Sequence, residues 1–377
     1  MNQSSSSSSE NTTGNKPAAS RSNKKRRRLF AILALMLGLG IALVGSEIAL
    51  RCYVALRGWT PNCYATGLVF FVPHEQAGYT LRPNLRLKSS TYDVQVNSRG
   101  FRGPEISTAK DDLTQRIAVL GGSSVFGYLV GEGKDSCRLL ENQFNRFLSK
   151  SPNSDFGSVD VWNAGVPGYN LTQSRLRFEA DIAPLQPDFV LLYLGWNDIP
   201  LLLSDNPNSL DRTPPAPSMT KRALSHSVLY GFLRYRVFPP DTPKFAPPAT
   251  SRNQVTERGG EAFRDEIEKM LDSITAAGAR PVLATQVMAS GSASLELDDY
   301  LGSSPEQVAA NRKIGKWLTN CVREVASERN VLLIDCANEI EANTETLGDA
   351  IHLSEQGHKL VAESWLSGFS KSRPSRE

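Results

Sequence analysis

A chain of 377 residues, 40% hydrophobic and 21% charged, can bury one substantial core and carry extra segments besides. Its formal net charge of +3 is unevenly spread, because residues 1–28 hold seven basic side chains against Glu10 alone, a net of +6 that leaves about −3 for the remainder. That balance excludes a body built to bind nucleic acid or another polyanion. The five cysteines include no CxxC pair and stand at no metal-ligand spacing with the four histidines, so neither a metal site nor a cofactor is called for.

Residues 1–28 read as a disordered basic tail. The first 23 are rich in Ser, Asn and Thr, with six serines at Ser4–Ser9, and cannot bury apolar surface. Lys24-Lys-Arg-Arg-Arg28 then precedes residues 29–50, whose only charge is Glu47. Those 22 residues span about 33 Å as a helix, enough to cross a hydrocarbon layer of about 30 Å. Glu47 stands one turn before Arg51, where the two can pair. The basic cluster keeps the amino end in the cytoplasm, which predicts a single-pass signal anchor with everything beyond about residue 55 outside. A cleaved signal peptide is the competing reading, with Val44-Gly45-Ser46 as the small-residue site.

Residues 58–112 are punctuated by Pro61, Pro73 and Pro83, and Tyr92–Val96 alternates as a strand does. They predict a small β-containing lead-in segment, in which Arg99 and Arg102 fix a turn. From 113 to 377 apolar runs alternate with helical patterns. Strands are expected at 117–120, 159–162, 189–194, 282–287 and 331–334, and helices near 135–149, 172–184, 258–277, 305–328 and 355–369. This alternation predicts an α/β domain with a parallel sheet covered on both faces. Residues 199–257 interrupt it with ten prolines around an apolar helix candidate, Val228–Tyr235, and read as a lid or binding insertion.

Four short motifs follow the strands. Ile117-Ala-Val-Leu-Gly-Gly-Ser-Ser-Val-Phe-Gly127 delivers two serines at a strand tip. Asn163-Ala-Gly-Val-Pro-Gly168, Gly195-Trp-Asn-Asp198 and Asp349-Ala-Ile-His352 come after it. Together they supply the parts of acyl transfer. A serine hydroxyl needs an imidazole to take its proton, and the imidazole needs a carboxylate to orient it. The developing oxyanion needs backbone and carboxamide N–H donors. Gly168 and Asn197 suit that role, with the Ser123 N–H a third candidate.

In this order the motifs resemble those of the SGNH hydrolases, the GDSL esterase/lipase superfamily. The resemblance covers about residues 115–370. It implies Ser123 as nucleophile, Asp349 and His352 as its partners, and Ser123, Gly168 and Asn197 as the oxyanion hole. It also implies a three-layer α/β/α sandwich with a five-stranded parallel sheet in flavodoxin-like order, here preceded by the transmembrane helix. Gly122 stands where the family often has an acid, and Ser124 is the alternative nucleophile. An α/β-hydrolase is disfavoured because Val125, not glycine, lies two residues after Ser123.

The expectation is a serine esterase outside the cytoplasmic membrane, acting on a small-molecule or glycan ester that could be an O-acetyl group. An O-acyltransferase for envelope polysaccharide and an inactive envelope-binding module are the alternatives. Trp196 reads as packing, Asp198 as a loop brace, and His358 as a surface or packing residue. His74 and His226 carry no legible role. Cys321 and Cys336 are either a bridge or buried thiols. The oligomeric state is not legible.

Overall fold

The computed structural model describes residues 19–57, 71–88, 93–107, 109–128, 130–150, 157–210, 219–237, 254–289 and 305–371. The chain divides into two units, Met1–Tyr53 and Val54–Glu377. Helix α1 (Ala19–Arg57) contains Lys24–Tyr53, with a mean hydropathy of 2.5 over its most apolar window. Among the described residues it is the one helix long and apolar enough to cross a membrane. The Leu, Ala, Ile and Met that fill it favour helix, and no proline interrupts them. Arg51 Nε lies 2.7 Å from Glu47 Oε1, the pair that their spacing predicts.

The second unit begins with two antiparallel pairs. The first joins β1 (Phe71–His74) to β2 (Gly78–Leu81), and the second joins β3 (Arg86–Lys88) to β4 (Asp93–Gln95). Of the expected strand 92–96, Tyr92 lies outside the described residues and Val96 forms an isolated bridge to Arg102. Ala77, Leu81, Leu85, Val94 and Val96 are buried in a small core with Phe126, Val166 and Tyr169.

Five parallel strands form the main sheet: β5 (Thr114–Gly121), β6 (Ser158–Asn163), β7 (Phe189–Tyr193), β8 (Arg280–Ala284) and β9 (Leu332–Ile334). Their order is β6-β5-β7-β8-β9, the flavodoxin-like order expected. Successive side chains of β5 point to opposite faces. Ala118 and Leu120 meet Phe178, Phe263, Ile267, Ile314 and Leu318 from α4 (Leu171–Arg177) and its extension, α8 (Glu257–Ala276) and α9 (Pro305–Glu328). Ile117 and Val119 meet Cys137, Leu140, Phe144, Cys336, Val361 and Trp365 from α3 (Ser136–Leu148), α10 (Cys336–Glu339) and α11 (Glu355–Lys371). The result is the α/β/α sandwich.

Two expected elements end early. The strand expected over 282–287 stops at Ala284, because Val287 N–H leaves the ladder to donate to the Tyr193 hydroxyl at 2.9 Å. The helix expected over 172–184 loosens after Arg177 into a π turn, Phe178–Ile182, and a 3-10 turn containing Pro184, which has no N–H to continue it. Within 199–257 lie α5 (Ile199–Leu202), α6 (Met219–Ser225) and α7 (Val228–Val237), while residues 211–218 and 238–253 are outside the described ones. Thr256 N–H donates to Leu202 O at 2.9 Å, so this excursion leaves and rejoins the domain at one point.

Candidate active site

The chain passes from β5 to β6 on one side and to β7 on the other. Loops leaving the carboxyl ends of these three neighbours therefore diverge around a crevice, the usual ligand site of an open parallel sheet. Ser123 opens the four-residue α2 (Ser123–Phe126) directly after β5, and Gly127 ends that turn at φ +82°. Gly121 and Gly122 are needed for close approach. A Cβ at 121 would sit 2.5 Å from Tyr193 O, and one at 122 would sit 2.6 Å from Asn197 Nδ2.

The loop after β6 braces this turn. Asn163 Nδ2 donates to Val125 O and to Asp135 Oδ1, both at 2.9 Å, while its Oδ1 accepts the Gly165 N–H. Val166 N–H donates to Gly121 O at 3.0 Å. Gly168 then takes φ +84°, a conformation favoured by glycine. After β7, Asn197 Nδ2 donates to Tyr169 O at 2.9 Å, tying the third motif to the second. Asp198 accepts the Leu171 N–H on both carboxylate oxygens, the bracing role expected of it.

His352 sits on the loop before α11, only 1% exposed. Its Nε2 lies 2.7 Å from Ser123 Oγ and its Nδ1 lies 2.5 Å from Asp349 Oδ2. Asp349 Oδ1 accepts the Ile351 and His352 N–H groups at 3.0 and 2.8 Å, so one carboxylate holds both the ring and the backbone beneath it. Burial would raise the Asp349 carboxyl, but the His352 hydrogen bond and charge and these two N–H donors hold it below its ordinary value. The Tyr128 ring lies 5.1 Å from the imidazole, and burial, then the Asp349 charge, pushes its phenol up.

Ser124 is engaged elsewhere. Its Oγ donates to Ile351 O at 2.9 Å and accepts from Gln286 Nε2 at 3.0 Å. The structure therefore brings together Ser123, His352 and Asp349, and separately links Gly122, Asn197 and Tyr169. It assigns Ser124 to fixing the histidine loop.

Other expectations resolve as follows. Arg102 is buried and its guanidinium donates to four carbonyls, those of Phe126, Gly127, Val130 and Gly131, so it does fix a turn. Trp196 is buried in the core. His358 is a packing residue and not a surface one: it is fully buried, and its Nδ1 accepts from Ser136 N and Oγ at 3.2 and 2.8 Å. Cys321 and Cys336 are buried free thiols rather than a bridge. His74 Nε2 pairs with Asp181 at 3.2 Å. Among the described residues, no three His, Cys, Asp or Glu side chains gather to hold a metal.

Tyr79, Tyr128, Tyr169 and Gln286 were not legible as site residues. Each reaches the crevice from a different element, and no spacing in the sequence links them.

The model of the GDSL-like lipase/acylhydrolase family matches residues 119–360. A curated relative, the uncharacterized lipoprotein YqeF of Bacillus subtilis (strain 168), is 33% identical over 51 residues, covering 14% of this chain and 21% of that protein. Among solved structures, a putative lipolytic protein of the G-D-S-L family from Desulfitobacterium hafniense DCB-2 is 15% identical with a TM-score of 0.39, over 67% of this chain and 99% of that one. An acetyl xylan esterase from Geobacillus stearothermophilus is 15% identical with a TM-score of 0.41, over 70% and 97%.

Proposed function

The chain belongs to the GDSL-like lipase/acylhydrolase family and is a hydrolase of ester bonds; from that premise we propose that Ser123 is its nucleophile, His352 its general base and Asp349 the carboxylate that orients the base. The observation that carries this reading is the unbroken line Ser123 Oγ, His352 Nε2, His352 Nδ1, Asp349 Oδ2, with steps of 2.7 and 2.5 Å. Nδ1–H donates to Asp349, which leaves Nε2 with its lone pair toward the serine hydroxyl. Ser123 attacks the ester carbonyl as Nε2 takes its proton. The tetrahedral oxyanion is held by the N–H groups of Ser123, Gly168 and Asn197. His352 returns the proton to the leaving alcohol, and water, deprotonated by the same nitrogen, releases the acid.

The catalytic unit works outside the cytoplasmic membrane, held by α1 with its basic end inside. Two observations support this. The helix is long and apolar enough, and Lys24–Arg28 sit at its amino end. The substrate is a small-molecule or glycan ester, O-acetyl groups among the candidates, in keeping with the acylhydrolase family the chain belongs to.

Fluorophosphonate labelling with mapping of the modified residue tests the assignment. Label on Ser123, and a fall in ester hydrolysis of about 10⁴-fold or more in Ser123→Ala, is the expected result. Label on Ser124, or on neither serine, rejects it.

A further inference from the structure

The hairpin formed by β1 and β2 precedes the stretch matched by the family, yet it reaches the proposed oxyanion site. Three contacts fix it there. His74 Nε2 donates to Asp181 at 3.2 Å, Gln173 Nε2 donates to Ala77 O at 2.9 Å, and the Tyr169 hydroxyl donates to Tyr79 O. The rings of Phe71, Tyr79 and Tyr169 pack edge to face, with centroids 4.9 and 5.2 Å apart. From this fixed base the Tyr79 hydroxyl donates to Pro167 O at 3.0 Å. It also covers Gly168 so closely that a Cβ there would stand 2.7 Å from it.

Pro167 O and Gly168 N–H are the two ends of one peptide unit. In a planar trans peptide they point in opposite directions, so holding the oxygen also sets the direction of the N–H. Donation to the carbonyl polarises the amide as well, and makes that N–H a better donor. We propose that Tyr79 is a positioning residue for the oxyanion hole: its hydroxyl clamps the Pro167–Gly168 peptide so that the Gly168 N–H meets the tetrahedral intermediate. This rests on the oxyanion role assigned to Gly168 and Asn197 above. It makes the lead-in hairpin part of the catalytic apparatus, because the Tyr169 N–H to Val166 O bond at 3.0 Å closes the turn around Gly168 while the Tyr79 hydroxyl holds the turn's central peptide itself.

The clamp acts on charge that exists only in the transition state, so its loss should fall on kcat and not on KM. In the full-length enzyme, Tyr79→Phe keeps the ring packing and removes the hydroxyl. A fall in kcat of about three- to tenfold is expected, with KM within about twofold and the same loss of affinity for a boronic acid that forms a tetrahedral adduct. A merely structural tyrosine would lower Tm and leave kcat per fluorophosphonate-titrated site unchanged, which overturns the proposal. Should Tyr79→Phe not fold, Tyr169→Phe cuts the reciprocal bond to Tyr79 O. Unchanged kcat in that variant overturns it equally. Asn197→Ala separates the two levels. If it loses kcat about hundredfold while Tyr79→Phe loses none, the clamp fails and the site assignment stands. If Asn197→Ala is also silent, both fall.

Discussion

Gly122 is where this chain departs from the acid its family often carries, and the departure has a local cause. Asn197 Nδ2 comes within 2.6 Å of where a Cβ at 122 would be, and the same carboxamide is held by Tyr169 O at 2.9 Å. Gly122→Ala should therefore push the carboxamide off its position. We expect kcat for a short-chain ester to fall by about tenfold or more with KM little changed, since part of one proposed oxyanion donor is lost. Unchanged kcat would mean that Asn197 has no part in the transition state. A second residue gives a pH signature. Burial, opposed by the Asp135 charge, pushes the His358 imidazole down to about 3. The unfolded chain then takes up this proton first, near the ordinary histidine pKa of about 6.5, so stability falls as pH drops from there toward 3. Between pH 7 and pH 5 the cost is about 2 kcal/mol, and urea melts should lack that increment in His358→Gln. Equal slopes in both proteins would exclude His358 as its source. At this scale Ser123, His352, Asp349, Gly168 and Asn197, the residues proposed for the site, stand out in the sequence because each sits in a short motif directly after a strand or before a helix. Tyr79 and Gln286 could not, because a tyrosine on a hairpin and a glutamine past a strand end acquire their partners only through the tertiary fold.

Elements carry the site by backbone contact, and glycines mark where. A Cβ at Gly165 would stand 2.5 Å from Phe126 N and 2.9 Å from Val125 C, backbone atoms that cannot swing aside. Gly165→Ala must therefore drive the loop after β6 away from α2. We expect a loss of about 1–3 kcal/mol in stability together with slower fluorophosphonate labelling of Ser123 in the folded protein. Gly259→Ala is the control at another contact: its Cβ would meet Leu202 O at 2.4 Å, where α8 crosses α5. It should lower Tm comparably and leave the labelling rate of folded molecules intact. If both variants slow labelling alike, the loop contact has no special role. The five strands and the flanking helices could be read from periodicity because they are buried on one or both faces. The early ends of β8 and α4 could not. They depend on a tyrosine hydroxyl from a neighbouring strand and on a helix that relaxes through a π turn before its proline.

At the scale of the whole molecule the apolar helix raises a question of cost. Leu29, Phe30, Leu35, Met36, Leu37 and Ile41 are each more than half exposed, a run of large apolar side chains that water would not tolerate and a bilayer would. This length and composition were legible in the sequence because a helix long and apolar enough to cross a membrane needs no tertiary partner to declare itself. The proposed direction rests on a separate argument: Lys24–Arg28 crowd the amino end, and moving five basic side chains across a bilayer is far costlier than retaining them. An uncleaved anchor makes three observations expected of the full chain. The protein should stay with membranes through alkaline carbonate extraction, run at its full mass of 41.3 kDa, and lose its catalytic portion to protease added outside spheroplasts. A cleaved signal would instead release a shorter, soluble enzyme, and protection from external protease would reverse the topology. The ester would then lie in the cytoplasm, and an envelope glycan could not be its substrate.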